Sequence, residues 1–438
     1  MAKRILSCAF LSVALCGTLT NCVLASEEVK SDAAPSVIST ANPVIEWNRS
    51  LLAIVRTPGA QPANIHSTHS FAMLHVAMFD SVNSIERTYE PYAVHLSQVS
   101  RDASAEAAAD QAAHDLLVSL YPTFATALDS ELQQDLEQIR DGRRKEEGIE
   151  VGEAVAAEIL ALRAGDGSNV SLPPFDPVSQ PGSYQLTPPN FAPADFLQWS
   201  RVSPFAIVSA SEFRPGPPPD LASDIYTDSF NEVKNLGIIG STTRTADQTQ
   251  IGEFWNGNIQ DFWNEIAQTG ALEHHLDLGQ TAHLFALMNI SVADTVIAFY
   301  DAKYTYNLWR PVTAVRQADT DNNPLTAADP SWLPLSTKTA PDPSYPGAHS
   351  AISFAASQVL KSELGDPLKL SVTSESLAGV TRHFTSFSEA AEEAGLSRIF
   401  AGQHFRFDHI AGITLGTRVA QSVVESTLRR RSELDRGN

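Results

Sequence analysis

The chain has 438 residues, enough for two or three domains of roughly 150 residues or one large helical body, and ample to bury a core. Hydrophobic residues at 43% and charged residues at 18% describe a globular protein and exclude collagen, coiled-coil, disordered and polytopic membrane classes. Lys and Arg number 30 against 51 Asp and Glu, and a net charge of -21 repels phosphate backbones and anionic lipid, so nucleic acid is excluded as a partner.

Lys3 and Arg4 precede an apolar run from Ile5 to Leu19, and Val23-Leu24-Ala25 has the small residues of a cleavage site. Residues 1–25 therefore read as a signal peptide cut after Ala25, since the run is short for a membrane span. The expectation is a secreted or periplasmic protein with no stable membrane insertion after cleavage. Leu19-Thr20-Asn21-Cys22 gives a weaker lipoprotein reading, because Asn21 stands where Gly or Ala is usual. Cys8, Cys16 and Cys22 are the only cysteines, so cleavage leaves a chain without disulfides or thiolate metal sites.

Residues 26–43 are polar and aperiodic, a flexible lead-in. Residues 44–165 form an N-terminal helical half, with Ala72, His75, Val76, Met78 and Phe79 at three- and four-residue spacings, and Ala105 to Tyr121 and Leu132 to Arg163 continuing the pattern. Strand alternation is scarce. Residues 166–223 form a strap: 12 of the 26 prolines lie between Pro173 and Pro219, a density that rules out helix interiors and sheet ladders. Residues 224–431 form the C-terminal helical half. Its periodic segments begin near Asp224, run from Gly279 to Trp309 with Leu284, Met288, Val292, Val296, Phe299 and Tyr306 on one stripe, and resume over Ala348 to Leu364 and His404 to Arg430. The chain reads as all-α, two helical halves joined by the strap.

Three elements in the C-terminal half carry chemistry. Lys303 and Arg310 are seven residues apart, two turns along one face of a helix that Pro311 ends. They punctuate Tyr304, Tyr306 and Trp309, an expensive setting for charge unless an anion compensates. Next, Tyr345-Pro346-Gly347-Ala348-His349-Ser350 leads into a helix, whose first amides meet an anion while His349 supplies a proton. Finally, Ser397-Arg398 precedes His404 and Asp408; a bend at Gly402 brings Arg398 and His404 to one spot, and Asp408, four residues on, orients the imidazole. Each element alone has an ordinary reading: a solvated cationic pair, a helix-capping histidine, an exposed His–Asp pair.

Together, in this order and within about 110 residues, Lys303-x6-Arg310-Pro311, Pro346-x-x-His349 and Ser397-Arg398-x5-His404-x3-Asp408 resemble the signature of the vanadium haloperoxidase and type 2 phosphatidic acid phosphatase superfamily. The soluble vanadium-dependent haloperoxidases are the better match, through Trp309 before Arg310, Ser397-Arg398-Ile399-Phe400 and Arg406-Phe407-Asp408. The resemblance implies two four-helix bundles with an oxyanion site at the end of the C-terminal one. It implies a vanadate held by Lys303, Arg310, Ser397, Arg398 and the amides of Gly347 and Ala348, with His404 bonded to vanadium and His349 as acid/base. Guanidinium forks suit tetrahedral oxyanions. The implied substrates are hydrogen peroxide, a halide and a small organic acceptor, with Lys303 polarising the peroxide so that the halide attacks it and the vanadium acting as a Lewis acid. A homo-oligomer is left open.

Two positions depart from the family. Pro346-Gly347-Ala348-His349 stands in place of Pro-Ser-Gly-His, which removes a hydroxyl donor, and Asp342 stands where some relatives carry an aromatic. An acid phosphatase using the same residues, with His404 as the phosphorylated nucleophile, is the alternative; an anion-binding protein without turnover is a third reading. Asp319-Thr320-Asp321 reads as a solvated loop rather than a calcium site.

Overall fold

A computed structural model describes residues 42–432. The expected leader with Cys8, Cys16 and Cys22, its expected cleavage position and nearly all of the expected lead-in lie outside the described residues. Among the described residues the chain is helical apart from one two-stranded hairpin.

In the N-terminal half, α1 (Pro43–Arg56) starts at Asn42, whose side chain accepts from the Val44 amide, with Pro43 in the first turn where its missing N–H costs nothing. It is followed by α2 (Ser67–Glu86), α3 (Ala105–Leu120), α4 (Ala125–Gln138) and α5 (Arg143–Arg163). The periodic stretch from Leu132 to Arg163 is thus two helices rather than one. Residues 139–142 interrupt it, and Gly142 adopts φ 133°, a conformation that only glycine takes without penalty. Helix α3 packs on α2 and α5, with Ala108, Ala109, Ala112 and Ala113 fully buried, so the small side chains set a close helix approach.

Residues 164–223 contain a single 3-10 turn, Trp199–Arg201, and no longer element. One carboxylate and three phenols hold this strap. Asp294 accepts from the Phe205, Ala206 and Ile207 amides at 2.6, 2.7 and 2.9 Å. Tyr306 donates to the Pro215 carbonyl at 2.6 Å, Tyr345 to that of Gly216 at 2.7 Å, and Tyr304 to that of Asp195. The tyrosines between Lys303 and Arg310 therefore anchor the strap.

The C-terminal half comprises α6 (Asp224–Leu236), α7 (Ala246–Phe254), α8 (Ile259–Glu273), α9 (Leu278–Tyr306), α10 (Pro311–Arg316), α11 (Ala348–Leu364), the antiparallel strands β1 (Pro367–Thr373) and β2 (Thr381–Ser386), α12 (Phe387–Phe400) and α13 (Arg406–Ser426). Leu368, Leu370 and Val372 alternate with polar residues in β1, the period-2 signal behind the hairpin. Helix α9 is the one described helix long and apolar enough to cross a membrane, and that window is wholly buried against α1, α2, α11 and α13. Helices α9, α11, α12 and α13 pack together as a bundle, and α9 also packs on α2. A separate apolar cluster, including Tyr226, Phe230, Trp309, Trp332, Tyr345, Phe405 and Phe407, sits under one end of that bundle. Its members Trp309 and Phe405 directly adjoin Arg310 and His404 in sequence, so packing fixes the two segments that carry those side chains.

Candidate active site

Four chain segments converge at that end. Helix α9 stops at Tyr306, with Asn307 in the left-handed region (φ 50°). Lys303 lies in its last turn, where a cation suits the negative end of the helix dipole. Arg310 is not on α9; it is the residue preceding α10, with Pro311 in the first turn of that short helix. The expectation that Lys303 and Arg310 share one helical face is corrected: Pro311 opens a new helix, and the side chains meet because the chain turns at Asn307. The bend at Gly402 is present, with φ 76° between α12 and α13, and the Gln403 and His404 amides both fold back onto the Arg398 carbonyl, at 2.8 and 3.3 Å.

The side chains converge as follows. Lys303 is fully buried, and its Nζ donates to Asp342 Oδ1 at 3.2 Å, to the Ser344 carbonyl at 3.3 Å and to the Pro343 carbonyl. Arg310 donates from Nε to the Asp342 carbonyl at 2.7 Å, from Nη1 to the Gln403 carbonyl at 3.1 Å and to His404 Nε2 at 3.2 Å, and from Nη2 to Asp342 Oδ1. His404 Nδ1 lies 3.0 Å from Asp408 Oδ2, which also accepts from the Ser344 hydroxyl at 2.6 Å and the Phe405 amide at 3.0 Å. Arg398 donates from Nη1 to Asn256 Oδ1 at 3.2 Å, while its Nε is buried without a partner.

These contacts fix the His404 tautomer. A guanidinium has donors only, so Nε2 facing Arg310 must present its lone pair, and the ring proton sits on Nδ1, donated to Asp408. Burial, reinforced by Arg310, Lys303 and Arg398, holds the His404 pKa well below its ordinary value. The ring is therefore neutral, with an oriented Nε2 lone pair that accepts from Arg310, the form in which imidazole ligates a metal.

Burial drives the other shifts too. The Lys303 ammonium falls to about 8 through burial, offset in part by Asp342, and Arg398 falls to about 9 through burial and the charge of Arg310. Burial alone would raise the Asp342 carboxyl, but Lys303 and Arg310 together hold it below its ordinary value. The Asp408 carboxyl is pushed up to about 6 by burial, against the Ser344 hydrogen bond.

His349, on the first turn of α11, feels Arg398 and Arg310, and burial with those charges holds it well below its ordinary pKa. Its Nε2 donates to the Trp255 carbonyl at 3.0 Å. Two residues expected to hold an oxyanion are committed elsewhere. The Gly347 amide donates to the Asp408 carbonyl at 2.9 Å, and the Ser397 hydroxyl donates to the Ala394 carbonyl at 2.6 Å within its own helix. Ala348 opens α11, where a first-turn amide has no intrahelical acceptor, and so remains a candidate donor. Ser350 bonds His409 at 2.9 Å rather than joining the cluster.

Two participants escape the motif reading. Ser344 holds the Asp408 carboxylate, and Asn256 holds Arg398 from the turn Trp255-Asn256-Gly257-Asn258 between α7 and α8. Only the small polar character of that turn hints at it. A cavity of about 360 Å³, lined by Thr187, Asn190, Asn256, Ser336, Lys338 and Arg398, lies between the strap and the loop before α11, and so leads from solvent to Arg398.

Residues 283–433 match the family model described as the VCPO second helical-bundle domain. Vanadium chloroperoxidase from Curvularia inaequalis is 26% identical over 264 residues, 44% of this chain and 43% of that enzyme. The chain is similar in sequence and in fold to the vanadium haloperoxidases. Among solved structures, the first bacterial vanadium-dependent iodoperoxidase superposes with a TM-score of 0.73 at 25% identity, covering 89% of this chain and 96% of that one. A holo-type bacterial vanadium-dependent chloroperoxidase shares the fold, with a TM-score of 0.68 at 15% identity over 88% of this chain and 97% of that one. The match to the curated chloroperoxidase spans less than half of that protein's length. The site fits vanadate on three grounds: the unpartnered buried Nε of Arg398, the oriented lone pair of His404, and three buried cations against two buried carboxylates, Asp342 and Asp408.

Proposed function

We propose that this chain is an exported vanadate-dependent haloperoxidase, which uses hydrogen peroxide to oxidise a halide to a hypohalous-acid equivalent that halogenates a small organic acceptor. The observation that carries the proposal is His404, neutral, with Nδ1–H held by Asp408 and Nε2 presented to the cation cluster.

Vanadate, when bound, supplies the Lewis acid that activates peroxide. His404 would hold it through Nε2, and Arg310 and Arg398 would hold its oxygens from two sides. Lys303, buried and with its pKa lowered to about 8, places an ammonium where developing negative charge on oxygen needs a donor. His349 is neutral and beside Arg398, so it can take a proton from incoming peroxide and return it to the leaving oxygen. The cavity at Arg398 would admit peroxide, halide and acceptor.

Iodide is the halide we assign first. It is the most easily oxidised of the three, and the relative covered over 96% of its length is an iodoperoxidase. The test is peroxide- and halide-dependent halogenation of an activated diketone by the purified protein, with and without preloaded orthovanadate, for iodide, bromide and chloride separately. Turnover that requires vanadate and disappears in His404→Ala supports the proposal. Hydrolysis of a phosphate monoester with no halide oxidation would replace it with the phosphatase reading.

A further inference from the structure

Asp342 occupies the cations that the oxyanion needs. Its Oδ1 meets both Lys303 Nζ and Arg310 Nη2, and its carbonyl takes Arg310 Nε. The peptide group before it is held on both sides: the Asp342 amide donates to the Ala340 carbonyl at 2.9 Å, and the Pro341 carbonyl accepts from the Asp195 amide of the strap at 2.9 Å. It is buried, 6% exposed, so its charge is poorly screened. Arg398, by contrast, has no carboxylate partner among the described contacts and keeps Nε free.

We propose that Asp342 sets the charge preference of this site, restricting it to oxyanions that carry a single negative charge. The inference rests on reading the cluster as an oxyanion site. Lys303, Arg310 and Arg398 bring three positive charges, and the carboxylates of Asp342 and Asp408 return two negative ones, which leaves the cluster an excess of one positive charge. A monoanion neutralises it. A dianion leaves a net negative charge in a buried site and also gives up a much larger hydration energy. The dihydrogen form of vanadate that prevails near neutrality is such a monoanion. Doubly charged tetrahedral ions of similar shape would be disfavoured.

Two tetrahedral oxyanions that differ mainly in charge, perrhenate with one and molybdate with two, separate this effect from shape. Binding of each to the full chain and to Asp342→Asn is measured by equilibrium dialysis at pH 7 and constant ionic strength. The wild type is expected to bind perrhenate more tightly than molybdate. Asp342→Asn, which keeps the side-chain shape and the main-chain acceptor, is expected to shift the ratio towards molybdate by at least tenfold, about 1.4 kcal/mol. Thermal unfolding gives a second readout: molybdate should raise the midpoint of Asp342→Asn more than that of the wild type.

An unchanged ratio in the variant overturns the inference alone, while leaving the oxyanion site in place. If Asp342→Asn fails to fold, the wild type decides: tighter binding of molybdate than of perrhenate overturns it. Failure of the wild type to bind either ion, or vanadate, overturns the oxyanion reading and the inference with it.

Discussion

A side-chain carbon on Gly402 would lie 2.6 Å from the carbonyl oxygen of Gly237, closer than any real contact of that kind. Gly402 also adopts φ 76°, with Pro334 and Trp332 closing the space around it. This turn carries Arg398, at the end of α12, and His404, ahead of α13, to the same point, so its tightness is a condition of the site. Gly402→Ala is expected to destabilise the protein by about 2 to 4 kcal/mol, combining the left-handed penalty with a backbone clash. It should also weaken orthovanadate binding at least tenfold, because His404 and Arg398 lose registry. Denaturant unfolding together with equilibrium dialysis checks both; full vanadate affinity in a folded Gly402→Ala protein would show that the turn does not position the pair.

Gly347 points to a gain rather than a loss. Its amide is taken by the Asp408 carbonyl, so position 347 offers an oxyanion no donor at present. An added side-chain carbon would sit 3.2 Å from the Asp408 carbonyl oxygen and 3.4 Å from Ser350 Oγ, tight but within reach of a small adjustment. Gly347→Ser restores a hydroxyl at the entrance of α11, and one charge-assisted hydrogen bond is worth roughly 1.5 to 3 kcal/mol. Vanadate affinity should rise about tenfold or more, with the unfolding midpoint unchanged or slightly lower. Affinity that stays flat would mean that the serine hydroxyl faces the backbone instead.

The motif residues were legible because their chemistry is written in residue type and spacing. Lys303, Arg310, Arg398, His404 and Asp408 all reach one cluster, and the Gly402 bend was readable from the impossibility of placing Arg398 and His404 on one helical face. Geometry that depends on where helices stop was not legible. The stop of α9 at Asn307 follows from a left-handed residue that the periodicity hides, and the hairpin β1–β2 is too short for its alternation to outweigh the helical signal around it. Which donors are already consumed, as for Gly347 and Ser397, is a tertiary fact that no spacing reveals. The same holds for the strap, whose proline content predicts irregular chain but not the phenols and the carboxylate that hold it.

Asp294 is the main anchor of that strap. Both of its oxygens accept main-chain amides, from Phe205, Ala206 and Ile207, and burial raises its pKa to about 6 against those bonds. Asp294→Asn would set an amide N–H₂ against at least one main-chain N–H, leaving donors facing donors in a buried place. A loss of about 2 to 4 kcal/mol is expected, larger than the roughly 1 kcal/mol for Tyr306→Phe, which removes a single hydrogen bond. Limited proteolysis of the variant should cut first within residues 164–223. Equal stability of the two variants would place the anchoring elsewhere.

Asp110 gives the protein a pH dependence that is independent of the site. Its Oδ1 accepts from Trp47 Nε1 at 3.0 Å, and burial, with Asp135 nearby, pushes its carboxyl from 3.8 up to about 8. Because the folded value is the higher one, the folded chain keeps a proton that the unfolded chain releases. The resulting contribution to stability is complete below about pH 4 and is lost progressively as the pH rises through 8. Asp110→Asn keeps the acceptor for Trp47 and removes the ionisable group. Its unfolding temperature relative to the wild type should therefore climb steadily between pH 5 and pH 8 and level off above that. Thermal unfolding of both proteins across this range measures the difference, and a difference that does not change with pH would mean that Asp110 is ionised in the folded protein at neutrality.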